Sequence, residues 1–521
     1  HIAGKPLVSA ETLTWLTQHF NTSLSLAKPE IDQMLAAGVN HMFFHGATYS
    51  PKGVSFPGWL FYASVNMSPT NTIWKDADGL FDYIARCQAF LTSGKPDSDV
   101  LLYFPIDDIW SRQDGIYMMF DIHSMDKKMP DVKKMVAELV NAGLDPDYLS
   151  DALVGDLTVD KDGSILSKGG NRYKSIIVPP VNYMPVETLA ALNALKDKGG
   201  NVIFVESHPK DVPGLGNLES RRERLEALKA DMVAPVKDME AAIRMTGATP
   251  EPLRQNGVSL LRRVNEVGGH NYFLALLDDR RLDGWHALST EAGSVMIFDP
   301  LTGRKGKART RKGANGNTEI FLQVEPGQSL LLKTFPGDVN ETEWAYYTKQ
   351  GVPFVIDKGW SIEFPESDPA IEGVFATDTL TAWTNLPVDA AKANTATGRY
   401  KVQFDLPGDT GADEWLLDLG DLRESAVVRV NGNDAGKVWS VPFTLEIGKW
   451  LKPGTNTLEI DVTNLPANRI ADYDRKGIKW RIFKDANIAN VDGSKINDYS
   501  GWETTPAGLN STVTLTSLKR K

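Results

Sequence analysis

At 521 residues the chain exceeds what a single hydrophobic core organises, and about three or four domains are expected. Apolar residues make up 42% and charged residues 24%, the balance of folded protein, and no run reaches the roughly 20 apolar residues of a membrane-spanning helix. A formal charge of −11 opposes a phosphate backbone, which argues against nucleic acid as a partner, whereas a neutral substrate such as a sugar meets no such opposition. Cys87 stands alone, so neither an intrachain disulfide nor a thiolate zinc cluster can be built. The chain opens His1-Ile2-Ala3-Gly4-Lys5 with no initiator Met and no signal peptide, and this start reads as lying inside a domain.

In chain order, residues 1–95 alternate strand and helix. The apolar run Pro6-Leu7-Val8-Ser9-Ala10 ends at Glu11, a second run over 39–44 ends at His45, and a short helix over 29–37 lies between them, stopped by Gly38. Asp76 or Asp78 can cap a helix that carries Leu80, Phe81, Ile84, Ala85, Gln88 and Leu91 and ends at Gly94. Strand–helix–strand–helix is the signature of a parallel sheet; two such units do not make a barrel but can be the last part of one. Residues 96–248 restart the pattern, with strands near 100–104, 175–178 and 201–205 and amphipathic helices through Val132–Val140 and from Pro185, and predict an open doubly wound α/β domain of flavodoxin or amidotransferase type. Beyond Pro250 the periodicity changes to two. Short strands punctuated by Gly, Asn and Asp turns predict a small β-sandwich over 249–340 and a second all-β region over 341–521. The expected fold is therefore multi-domain, α/β followed by β.

Glu11 is the principal catalytic candidate. A carboxylate ending a buried strand lies at the carboxyl end of a parallel sheet, where barrel enzymes gather their catalytic groups. Glycosidic cleavage typically uses two carboxylates, one protonating the leaving oxygen and one activating water or attacking the sugar. The competing reading is a Glu that makes only a surface or capping bond. His45 and the loop behind it, with Tyr49, Phe56, Pro57, Trp59, Phe61, Tyr62, Asn66 and Trp74, suit sugar recognition: aromatic rings stack on apolar sugar faces while His, Tyr and Asn bond hydroxyls. Some of these rings can equally cover the end of a barrel, and His45 can be a satisfied buried histidine. His41 is assigned to the opposite side of the strand and left out.

Two decoys are set aside. Asp160-Lys161-Asp162-Gly163 lacks the later ligand and helical flanks of a calcium loop and is expected to be a hairpin turn, and Gly169-Gly170 has no following Lys-Ser or Lys-Thr. Near the end, Val428-Arg429-Val430-Asn431-Gly432, Gly436-Lys437-Val438-Trp439 and Leu451-Lys452-Pro453-Gly454-Thr455-Asn456 supply hairpin and turn chemistry. This stretch resembles the galactose-binding-like jelly-roll sandwich appended to many glycoside hydrolases.

Several stretches together resemble glycoside hydrolase family 106. They are Gly4-Lys5-Pro6-Leu7-Val8-Ser9-Ala10-Glu11, His41-Met42-Phe43-Phe44-His45-Gly46 with Tyr49-Ser50-Pro51, and Pro57-Gly58-Trp59-Leu60-Phe61-Tyr62-Ala63-Ser64-Val65-Asn66. Asp99-Val100-Leu101-Leu102-Tyr103 and the tail Asn464-Leu465-Pro466-Ala467-Asn468-Arg469-Ile470 with Asp472-Tyr473 complete the set. The resemblance implies a (β/α)8 catalytic barrel, of which residues 1–95 would be the carboxy-terminal part, and inverting hydrolysis of terminal α-L-rhamnosyl bonds in a rhamnose-containing glycan. It also implies a calcium ion contacting the sugar and a periplasmic or secreted bacterial address. Onto this sequence it carries Glu11 as the base that activates water, with His45, Tyr49, Trp59, Phe61 and Asn66 as substrate-binding residues. Family members are about twice this length, so the acid partner and the calcium ligands are expected before His1. Another glycosidase, such as a β-galactosidase, and a non-catalytic carbohydrate-binding remnant are the alternative readings.

Overall fold

A computed structural model describes residues 1–14, 20–59, 65–113, 115, 125–314, 316–406, 408, 411–481 and 498–521. Near the amino terminus, β1 (Ser9–Thr12) and β2 (His41–Phe44) pair in parallel, from Ser9 against His41 to Thr12 against Phe44. Between them runs α1 (Leu24–Ala36), and after them α2 (Ala77–Leu91). Helix α1 starts earlier than the Pro29 expected from sequence, because Ser23 takes the N-cap position and accepts a hydrogen bond from the Leu26 backbone N at 3.2 Å. It ends where Gly38 adopts φ +97°, a conformation that suits a residue without a Cβ.

Both helices bury one face, Leu24, Ala27, Ile31 and Leu35 from α1 and Leu80, Tyr83, Ile84 and Leu91 from α2. Their shared core extends to Leu261, Phe273, Ala275 and Leu331 of the following β-domain and to Trp439 of the last one. Cys87 is a buried free thiol in this core. Asn40 fixes the approach to β1: its Oδ1 accepts from the Val8 N at 2.8 Å, while its Nδ2 donates to the Pro6 and Leu91 carbonyls at 3.0 and 3.3 Å.

The next unit is an α/β layer structure. Its parallel sheet has the spatial order 202–204, 175–178, 100–103, 146–149, so the chain reverses its direction of strand addition beside the first strand. Alternate residues of that strand serve different cores. Leu101 and Tyr103 pack with Leu189 and Leu192 on one face, and Val100 and Leu102 with Met135, Leu139 and Ala242 on the other. Both faces are therefore covered, as in doubly wound folds. The Asp160–Gly163 segment joins the antiparallel strands Thr158–Val159 and Ile165–Leu166, and Arg172 binds the Asp160 and Asp162 carboxylates at 2.8 and 2.7 Å, as the hairpin reading requires. The charged region over 220–245 resolves into two helices, Leu218–Lys229 and Met239–Met245.

Two antiparallel β-units follow. The first sets a six-stranded sheet, edged by Lys95–Pro96 on Arg263 and Val264, against a three-stranded sheet over a core that includes Tyr272, Leu274, Ile320, Leu322 and Tyr346. The second sets a six-stranded sheet centred on Thr395–Leu406 and Gly454–Thr463 against a four-stranded one, with Trp360, Trp383 and Tyr400 buried between them. The helix Ala467–Arg475, here called the tail helix, leaves this sandwich just after Thr463. No helix among the described residues is long and apolar enough to cross a membrane.

Candidate active site

The strand pair β1–β2 has one packed face and one open face. Met42 and Phe44 turn toward the helix core, while Ser9, Glu11, His41 and Phe43 are exposed. Glu11 occupies the third position of β1, inside the strand rather than just after it, opposite Phe43 of β2. His45 follows β2 by one residue and so falls on the same face as Phe43 and Glu11. The two side chains meet: His45 Nδ1 lies 3.1 Å from Glu11 Oε1, with 41% and 48% of their side-chain surface exposed. The pair is an acid–imidazole contact at the carboxyl end of two parallel strands, where a carboxylate can handle a proton.

The expectation for His41 is corrected. Positions 41, 43 and 45 differ by two, so they point the same way, and His41 shares the open face with Glu11. Its Nδ1 is 2.8 Å from Ser9 Oγ, and its ring lies 6.4 Å from that of Phe43. Phe43, half exposed at 50%, thus stands between two histidines on the accessible face. Strand parity was the signal in the sequence for both residues.

Leu13, the second residue after Glu11, is buried yet has φ +60°, a left-handed conformation that costs a non-glycine residue roughly 1–2 kcal/mol. It turns the chain sharply away from β1 and lets its carbonyl accept the Val65 N at 3.0 Å, which ties the loop after β1 to the loop after β2. Met67 N donates to the Gly46 carbonyl at 3.2 Å and closes the second loop at its base.

Tyr49 and Trp59 stand out from this loop at 81% and 45% exposure. Trp59 is set by its backbone N, which donates to Ser50 Oγ at 2.9 Å, and by Gly58 at φ +83°, where a Cβ would fall 2.5 Å from that same oxygen. Asn66 is buried at 3%, and its carbonyl accepts from Asn71 Nδ2 at 3.0 Å, so it lies beneath the open face rather than on it. Phe61 falls outside the described residues. Trp74 meets Phe81, which in turn meets Phe44 on the packed face of β2, and this row runs along the helix side of the strands. Among the described residues no group of three or more His, Cys, Asp or Glu side chains is placed to hold a metal ion.

Residues 1–248 match the family model of glycoside hydrolase family 106, described as alpha-L-rhamnosidase. The solved rhamnosidase from Novosphingobium sp. PP1Y superposes with a TM-score of 0.70 at 20% sequence identity, covering 98% of this chain and 48% of that one. A Formosa agariphila protein provisionally named a beta-glucuronidase is 29% identical over 203 residues, which are 37% of this chain and 17% of that protein. The chain thus spans about half the length of the solved rhamnosidase and shares its fold. The similarity to glycoside hydrolase family 106, the family described as alpha-L-rhamnosidase, lies in residues 1–248, just under half of the chain.

Proposed function

We propose that this chain serves the hydrolysis of terminal α-L-rhamnosyl bonds with inversion of configuration, and that Glu11 is the base that takes a proton from the attacking water. The observation that carries this reading is the Glu11–His45 contact on the open face of β1–β2, with the exposed rings of Tyr49 and Trp59 on the loop that follows His45 in the chain. With Oε1 facing His45 Nδ1 at 3.1 Å, Oε2 is the oxygen that receives the proton as the water attacks the anomeric carbon. The other carboxylate of an inverting pair stands about 6.5–9.5 Å away and protonates the leaving oxygen. In this reading β1–α1–β2–α2 is a portion of a (β/α)8 barrel, the last sandwich is a galactose-binding-like jelly roll, and the protein works in the periplasm or outside the cell.

The test is release of rhamnose from an aryl α-L-rhamnoside by the full-length protein and by its Glu11→Gln variant, with aryl β-D-galactoside and β-D-glucuronide as competing substrates. Loss of a general base is expected to lower kcat by roughly 10²–10⁴-fold while the melting temperature is unchanged. A Glu11→Gln protein that keeps full activity removes Glu11 from catalysis. Cleavage of the galactoside or glucuronide in place of the rhamnoside overturns the substrate assignment.

A further inference from the structure

The tail motif Asn464–Ile470 is bonded at both of its ends. Asn464 Oδ1 accepts from the Ala396 N at 2.9 Å and its Nδ2 donates to the Asn394 carbonyl at 3.0 Å, which anchors the start of the motif to the sandwich. Leu465 is buried in the core shared with α1 and α2. Asn468 exchanges two hydrogen bonds with the Thr505 backbone, both at 2.8 Å, and Arg469 reaches Asp368 at 3.0 Å while its guanidinium lies 4.5 Å from the Tyr473 ring centre. The tail helix is thereby fixed to its own domain at several points along its length.

Its Ile470 and Tyr473 meet the segments that follow β1 and β2. Ile470, Trp480, Tyr473 and Tyr499 form one apolar cluster with Phe20 and Phe56. Phe20 packs edge-on against Trp480 at 5.8 Å, and Phe56 packs edge-on against Tyr473 at 6.2 Å. Asp474 holds the far side of the cluster, accepting from Trp480 Nε1 and Arg481 Nη1 at 2.7 Å each and from the Tyr499 N at 2.8 Å. Phe20 belongs to the stretch between β1 and α1. Phe56 opens the turn that leads through buried Pro57 and Gly58 to Trp59. One cluster therefore receives an anchor from the connection after Glu11 and another from the connection after His45.

We propose that Tyr473 is a positioning residue for the candidate active site: by packing on Phe56 it fixes the turn that presents Trp59 to the sugar. The inference rests on the functional reading above only for the ligand, because the packing itself is independent of turnover. An edge-to-face ring pair contributes modestly, but it acts on a surface turn whose local opening costs little, so its loss is expected to show there first.

The experiment compares the full-length protein with its Tyr473→Ala, Tyr473→Phe and Phe56→Leu variants, by amide hydrogen exchange and by KM and kcat on the aryl α-L-rhamnoside. Tyr473→Ala is expected to speed exchange over residues 54–59 by about tenfold, leaving the strands over 425–463 unchanged. It is expected to raise KM by about tenfold with kcat within twofold, the pattern of lost ground-state binding. Tyr473→Phe is expected to restore both, since the ring and not the hydroxyl makes the contact, and Phe56→Leu to reproduce both from the loop side with the tail helix intact. Unchanged exchange over 54–59, or faster exchange with unchanged KM, overturns the proposal, as does a Phe56→Leu protein with normal KM. If the protein turns over no rhamnoside but the exchange difference appears, the rhamnosidase assignment fails and the brace stands.

Discussion

Glu424 shows how the setting of one carboxyl group can make stability depend on pH. It lines an open cleft of about 890 Å³ between the start of α1 and loops of the two β-domains, together with Ser23, the N-cap residue of α1. Burial pushes its pKa up from 4.5 to about 7; Arg423 and Ser23 pull it down, and nearby Asp421 raises it. The folded state therefore holds the Glu424 proton more tightly than the unfolded chain does. Its stabilisation is fully present below about pH 4.5 and is lost as the pH rises through about 7, because the unfolded chain ionises first. A separation of this size corresponds to about 3–4 kcal/mol at most. Glu424→Gln keeps the shape without the charge. It is expected to flatten the decline in urea midpoint between pH 4.5 and 7 that the parent protein shows, and to leave the variant the more stable of the two at pH 8. Identical pH profiles for the two proteins would show that burial does not hold the carboxyl proton.

Helix α1 illustrates what a one-dimensional pattern conceals at the scale of an element. Lys28 and Asp32 have the i, i+4 spacing of an exposed helix pair, yet both are buried, with Lys28 Nζ 2.7 Å from Asp32 Oδ2. The remaining hydrogen bonds of the ammonium go to the Gly327 carbonyl at 3.0 Å and Ser329 Oγ at 3.2 Å, and Asp32 also accepts from Tyr83 of α2. Burial raises the Asp32 pKa against the opposing pull of Lys28. Lys28→Met is expected to cost about 3–5 kcal/mol, because it strands a buried carboxylate, whereas Lys28→Met with Asp32→Leu is expected to recover most of that loss. Thermal unfolding of the two variants decides it, and a Lys28→Met protein as stable as its parent would show the pair to be solvated. Local pattern made other features legible. The strand ending at His45, the helix ending before Gly94, the Asp160–Gly163 hairpin and the change to period two beyond Pro250 all follow from spacing and turn chemistry. The same alternation, applied consistently, would have placed His41 and Phe43 beside Glu11. What local pattern could not give are contacts between distant segments, such as Ser329 on Lys28, Tyr473 on Phe56 or Leu13 on Val65. Each arises only when separately folded layers come together, and each partner taken alone reads as an ordinary surface or core residue.

At the scale of the whole molecule, the last domain is built into the seam at the start of α2 rather than tethered to it. Asp76 occupies the N-cap position of α2 but makes no cap bond; its carboxylate instead accepts from Ser425 Oγ at 2.6 Å. Lys437 reaches Asp78 at 2.5 Å, Lys75 pairs with Glu366, and Thr72 donates to the Asn464 carbonyl. Trp439 is buried at the centre of this seam, edge-on to Tyr83 at 6.2 Å and directly over Gly79, where a Cβ would come within 2.5 Å of its indole nitrogen. An isolated helix would gain about 1 kcal/mol from Gly79→Ala. Here the methyl group must displace a buried indole wedged between two domains, and such overpacking typically costs about 1–3 kcal/mol. Gly79→Ala is therefore expected to lower the urea midpoint. Combined with Trp439→Leu, which opens space at the same point, it is expected to cost less than the sum of the two single changes, and a double-mutant cycle on unfolding free energies measures the difference. Additive effects, or a Gly79→Ala protein stabilised as a free helix would be, would mean that the indole does not rest on α2. Because the tail helix belongs to the same domain, a loosened seam is also expected to reach Phe56 and Trp59, so Gly79→Ala should speed amide exchange over 54–59 even though residue 79 touches neither ring.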